Sequence, residues 1–352
     1  MRLSFLDGLR GWGAVFVLNY HVFCSGLAPY PPVAHELRSF IPFSGLVAVL
    51  TFFLVSGFAL SVKFLSKNDP LDLVRIAAGR YPRLVLPIFA ICAVVHVVWM
   101  LGFLAPPVER LEAFQRALTV EPTLGHLLRF SFWDVFANYS SAKTYVGPLW
   151  TMQTELMGSF LVVGALLVVG RLPMRMAVMG VLSAVLMGFD NPLALFALGV
   201  VFADAFQRGW FEGRPAWIGV VLILVGFAAP LVLEPHINAA NMIGVSALFL
   251  GCVLLAPVAR ALSGKLSRHL GYISFPLYLV HGPVMMIVGA PLMLHYGVTV
   301  GDKIAIDLFV VVLSFAAAYA FAPINDRAIV ISRWIGDAIG GLMPARAEAT
   351  RA

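Results

Sequence analysis

The sequence predicts an all-α, polytopic transmembrane helical bundle of about ten spans, with N- and C-termini cytoplasmic. Three observations predict it. Of 352 residues, 61% are hydrophobic and only 12% charged, where a soluble domain carries about a quarter. The apolar residues come in runs long enough to cross a bilayer, not as stripes at helical spacing. The Lys and Arg fall between those runs. The net charge of +6 therefore reads as the positive-inside bias of a membrane protein. No basic patch interleaved with exposed aromatics appears, so the lipid bilayer is the expected partner and nucleic acid is not.

The first apolar run starts near Gly8 and holds Arg10 and His21. It lacks the short apolar core and small-residue cleavage site of a signal peptide, so it is a retained first span. Span cores follow at 8–25, 43–64, 84–104, 147–169, 174–189, 191–206, 216–233, 241–259, 270–293 and 303–324. The fifth and sixth are short and parted only by "FDNP" around Asp190, so a re-entrant pair is the alternative there. With the N-terminus inside, most of the 24 Lys and Arg fall on the inner side, including Lys63, Lys67, Arg75, Arg80 and Arg83. Arg110, Arg116, Arg129 and Lys143 share one outer loop, 105–146, with Phe130, Phe132, Trp133, Phe136 and Tyr139. That loop is an aromatic belt segment or an extracytoplasmic cap over a substrate. Residues 1–335 form one membrane domain and 336–352 a disordered cytoplasmic tail. Cys24, Cys92 and Cys252 lie in apolar runs with no ligand spacing, so no metal is expected.

An ionisable group at membrane depth is costly and marks function by default. Arg10 and His21 lie eleven positions apart, close to three whole turns, so they share a face about 16 Å apart along the axis. Glu155 enters from the other side, about 10 Å below the outer mouth, which puts it at the depth of His21. A carboxylate there would fix the imidazole tautomer and stabilise its protonated form. The blander readings are that Arg10 snorkels to headgroups and that His96 and His281 make helix–helix hydrogen bonds. "GRYPRLVLP" puts Arg80 and Arg83 in an inner loop just before a span. Paired guanidiniums suit phosphate oxygens, but spacing alone favours ordinary positive-inside charge or lipid headgroup contact.

Five motifs add to this. "FLDGLRGWGAVFVLNYH" (5–21), "FFLVSGF" (52–58), "RYPR" (80–83), "GPLWTMQTEL" (147–156) and "ISFPLYLVH" (273–281) stand in order across the chain. Together they resemble the acyltransferase family 3 membrane proteins, integral membrane O-acyltransferases. The resemblance implies transfer of an acyl group from cytoplasmic acyl-CoA, commonly acetyl-CoA, to a hydroxyl. The implied acceptor is an extracytoplasmic or membrane-associated glycan, glycolipid or small-molecule secondary metabolite. It places the catalytic histidine at His21, with Arg10 beside it, and the loop pair at Arg80 and Arg83. Of the acidic motif only Glu155 carries over, because the second acidic residue is absent. Arg80, Arg83, Arg10 and Ser56 are then candidates to hold the donor, with Gly57 beside them on the second span. Trp150, Tyr278 and His281 are candidates to hold the acceptor. His21 would act as general base, with an acyl-imidazole as the variant. The expected location is the plasma or inner membrane, multi-pass. The rival class is a transporter or flippase for a glycan or lipid-linked substrate, against which the chain shows no internal repeat.

Overall fold

A computed structural model describes residues 3–27, 36–233 and 236–342. Of the described residues 81% are helical, and they contain no strand. The first helix is α1, Ser4–Asn19, continued by a π-helix over Tyr20–Gly26. Then follow α2, Gly45–Lys67, and α3, Pro70–Met100. A short helix, α4, Leu124–Arg129, continues through a π-turn at Phe130–Asp134 into Val135–Ala137. Next come α5, Thr151–Val169, α6, Arg175–Gly188, α7, Leu193–Gln207, and α8, Ala216–Val232. The chain closes with α9, Ala239–Leu254, α10, Ala256–Leu262, α11, Lys265–Val284, α12, Ala290–Tyr296, and α13, Val300–Gly341.

Five of these helical stretches are long and apolar enough to cross a membrane, or six if α9 and α10, bent by 94° at their junction, count as one. The helices α6, α7 and α8 are apolar but shorter. Left-handed Asp190, φ 51°, turns α6 back onto α7, and Ser183 Oγ donates to the Ala194 carbonyl across the pair at 3.0 Å.

Local chemistry sets several ends. Ser44 caps α2 through its hydroxyl. Asp69 accepts from the Leu71 amide, and Pro70 opens α3 at the one position where a missing N–H costs nothing. A capping box of Thr299 and Asp302 starts α13. Small residues let the long helices touch. A methyl on Gly79 of α3 would lie 2.5 Å from the Ser332 carbonyl of α13, the close backbone approach that membrane bundles favour.

Three expectations change. "RYPR" is not a loop: with Asp69 and Pro70 starting the helix, α3 is 31 residues long and carries Arg80 and Arg83 in its interior. The loop before it shrinks to Asn68 and Asp69. Segment 105–146 does not merely lie on one end of the bundle, because residues 124–137 descend along α3. There Tyr81 Oη donates to the Phe132 carbonyl at 2.6 Å, and Phe132 and Phe136 pack on Phe89 and Tyr81. Apolar side chains on this segment let it enter the bundle where a polar loop would have stayed out. Finally, α13 continues to Gly341, so the start of the expected tail is helical. The remainder, 343–352, lies outside the described residues.

Candidate functional site

Two helix contacts fix the levels of the site. The first is between α1 and α11, which run parallel. A methyl on Gly11 would fall 2.5 Å from the Gly271 amide, and ten residues further, in the π-helix that continues α1, the ring of His21 stacks on His281, centroids 5.2 Å apart at 29°. The second is between α11 and α5, which run antiparallel. Gly282 faces Pro148, and Thr151 Oγ1 lies 2.6 Å from Tyr278 Oη, which donates to the Pro148 carbonyl at 2.5 Å. Glu155 follows Thr151 by four residues in one direction, and His281 follows Tyr278 by three in the other. At 1.5 Å per residue, Glu155 and the histidine pair are about 10 Å apart along the axis.

Glu155 therefore belongs to a lower level, and its partners confirm this. It pairs with the Arg80 guanidinium. The Ser56 hydroxyl donates to the same carboxylate oxygen at 2.7 Å. Arg80 Nε donates to Ser159 Oγ at 2.7 Å, and Ser159 in turn donates to the Glu155 carbonyl at 2.6 Å. Arg80 and Glu155 are only 11% and 12% exposed. Arg10 interacts electrostatically with Glu155, Arg80 and Asp7. Arg83 does so with Arg80, Arg10, Arg333 and Glu155. Four guanidiniums thus face two carboxylates, and the cluster is net positive, a setting that favours a bound polyanion.

At the other level the site is aromatic and uncharged. The Tyr20 ring meets His21 edge-on at 5.1 Å, Tyr278 meets His281 at 6.0 Å, and Phe52 meets Tyr278 at 6.1 Å. His21 stands at the start of a π-helix, and His281 lies one turn before a second, Met285–Gly289. π-turns inside helices occur frequently at functional sites, and here two face each other, with Gly26 against Met285. His21 is half-buried, whereas His281 is fully buried.

The pairing of Glu155 with His21 that the sequence suggested is not what the structure shows. Arg80 lies inside α3 rather than in a surface loop, so it reaches the carboxylate first, and His21 is left beside His281. Ser56, Arg10, Arg80 and Arg83 do come together around Glu155. Tyr278 and His281 come together around His21. Trp150 is 42% exposed and takes no part in the ring contacts among the described residues. Gly57 is pressed on the backbone of Phe196 in α7, away from the cluster. The sequence reading missed Thr151, Ser159 and Arg333. A signal existed for the first two: Thr151, Glu155 and Ser159 recur every four residues on one face of an apolar helix.

A second polar chain joins the 105–146 segment to the end of α3. Tyr145 Oη lies 3.0 Å from both His96 Nδ1 and His126 Nδ1. Burial holds the His126 imidazole below its ordinary value, opposed in part by a backbone hydrogen bond at Lys143 and the charge of Asp134. Burial raises the Tyr145 phenol. No group of three His, Cys, Asp or Glu placed to hold a metal occurs among the described residues.

A family model described as "Acyltransferase domain" matches residues 3–323. No curated protein and no solved structure matches the chain.

Proposed function

The chain belongs to the acyltransferase domain family, a family of membrane acyltransferases, and on that premise we propose that it is a multi-pass O-acyltransferase of the plasma or inner membrane. It moves an acyl group, acetyl first among the candidates, from cytoplasmic acyl-CoA to a hydroxyl of a glycan, glycolipid or small metabolite. The observation that carries this is the two-level site: a net-positive cluster of Arg10, Arg80 and Arg83 around Glu155, and an imidazole, His21, further along the same helices. The phosphates of CoA dock on the guanidiniums, which bind phosphate oxygens bidentately. The flexible arm runs the axial distance of about 16 Å between Arg10 and His21. His21 then acts on the acceptor hydroxyl as general base, with the acyl-imidazole as the variant. Glu155 holds Arg80 in place and balances the cluster.

In this reading the chain crosses the membrane about ten times, both termini face the cytoplasm, and the arginine level lies on the cytoplasmic side. The segment 105–146 covers the acceptor side, and Trp150, exposed near its return, serves the acceptor or the lipid interface. A transporter or flippase would also use buried charge, but no specific feature of the arrangement favours it. The test uses sealed vesicles of known orientation and purified protein. Acetyl-CoA added to the cytoplasmic face should release free thiol only when an acceptor is supplied, and a membrane-impermeant acceptor should work only from the opposite face. Donor and impermeant acceptor both working from the cytoplasmic face alone would refute the cross-membrane route. The absence of any thioester consumption would refute the acyltransferase reading itself.

A further inference from the structure

With Glu155 committed to Arg80, the residue that stands beside His21 is His281, and its bonding is unusual. His281 is 0% exposed. Its Nδ1 lies 2.9 Å from the Leu277 carbonyl, four residues earlier in α11. A carbonyl can only accept, so Nδ1 carries the hydrogen. In the neutral ring Nε2 is then an acceptor, and that atom is buried without a hydrogen-bond partner among the described residues. Buried polar atoms are nearly always satisfied, and an exception calls for an explanation, a catalytic role among them. The nearest titratable ring is His21, stacked at 5.2 Å.

We propose that His281 is the positioning residue of His21: its Nε2 accepts the N–H of the His21 imidazole when the site is occupied. The hydrogen bond from Leu277 fixes the tautomer of His281, and His281 in turn fixes that of His21. The opposite nitrogen of His21 is then left with its lone pair facing the substrate. A turn of the His21 ring out of the stacked arrangement makes the bond. Such hydrogen bonds are often long in the empty site and tighten in the complex. The second imidazole thus takes the orienting part that a carboxylate plays in hydrolase triads, but it adds no permanent charge next to a thioester. The first π-turn carries His21, the second follows His281 by one turn, and Gly26 and Met285 meet just beyond the pair.

This inference rests on the acyltransferase reading for its chemistry but not for its test. The purified full chain is treated with diethyl pyrocarbonate, and carbethoxylation of His21 is timed by mass spectrometry. Wild type is compared with His281→Leu, which fills the space without an acceptor, and His281→Gln, whose amide oxygen can accept. Expected is slower modification of His21 in the Leu variant and recovery in the Gln variant. If Leu does not yield folded protein, His281→Met serves, since an unbranched thioether adapts to the same cavity. Equal rates in wild type and Leu or Met variant, or a Gln variant no better than Leu, overturn the proposal. Turnover with acetyl-CoA and methyl glucoside adds a second reading. The Leu variant should lose about 100-fold in kcat, the lower end of what a positioned general base supplies, with the KM for acetyl-CoA unchanged, and Gln should restore part of the loss. A wild type that modifies normally but never turns over would count against the acyltransferase reading alone.

Discussion

Glu155 offers the sharpest stability test, because its neighbours are unequal. Take Arg80→Ala, Glu155→Ala and the double variant. Each single change breaks the same pair, between side chains 11% and 12% exposed, and removing one partner of a buried ion pair typically costs about 3–5 kcal/mol. The two losses should not match. Removing Arg80 leaves Glu155 the Ser56 hydroxyl and the fields of Arg10 and Arg83. Removing Glu155 leaves Arg10, Arg80 and Arg83 facing one another with Asp7 as the remaining acid near Arg10. Glu155→Ala should therefore be the more destabilising single change. Arg80→Ala added to it should restore stability, since it removes a guanidinium from an unbalanced cluster. Non-additivity of about 1–3 kcal/mol is expected for groups in one network. The assay is thermal unfolding in detergent with a thiol-reactive fluorophore, for which the buried free thiols of Cys24, Cys92 and Cys252 are built-in reporters. Melting in the order wild type, Arg80→Ala, double variant, Glu155→Ala supports the reasoning. Additive losses, or Arg80→Ala melting below Glu155→Ala, refute it.

Two further outcomes follow from other contacts. Gly11→Ala puts a methyl 2.5 Å from the Gly271 amide, so α1 must move off α11; a loss of about 1–3 kcal/mol, the usual cost of overpacking, should appear as a lower melting temperature, and His21 should lose its register with His281. The His126 imidazole is held below its ordinary value by burial, so the unfolded segment binds protons more readily than the folded one. Its contribution is complete well above the ordinary histidine value of about 6.5 and is lost as pH falls through that value towards the folded one. Protease cleavage within 105–146 should therefore rise on acidification below about pH 6.5, and His126→Gln should flatten that dependence; an unchanged acid response in the variant would assign it elsewhere.

The apolar runs were legible because crossing a bilayer demands length and composition, and these are written directly in the chain. Most of the expected span cores lie on helices, but 241–259 runs across the 94° bend between α9 and α10, and five or six stretches, not ten, are long and apolar enough to cross. The start of α3 was misread because Arg75, Arg80 and Arg83 looked like a polar loop, although Asp69 and Pro70 together spell a helix start. That one boundary explains the error at the site. A loop would have kept Arg80 at the surface and left Glu155 free for His21, whereas a helix carries Arg80 inward to the carboxylate. The Arg10 and His21 spacing was legible because both lie on one helix, where periodicity fixes direction. Glu155 and His281 lie on others, and their levels depend on contacts such as Thr151 with Tyr278 that no spacing in the chain encodes. The descent of residues 124–137 along α3 was hidden for the same reason: it depends on Phe132 and Phe136 finding Phe89 and Tyr81.

The separation of charge from the imidazoles has a physical consequence of its own. Had Glu155 stood beside His21, the fixed charges of the site would have overlapped the place where bonds change. Instead the charged groups are collected around Arg80, and the histidine level is lined by Tyr20, Phe52 and Tyr278. An apolar surround strengthens whatever hydrogen bonds are made within it, and in the proposed arrangement the orientation of His21 follows His281. In the proposed reading, the arginine level binds and releases the donor without altering that orientation, because the Thr151–Tyr278 contact stands between the two. Changes at Arg80 or Arg83 should therefore be read in donor binding, and changes at His281 in the reactivity of His21, with little crossover between them.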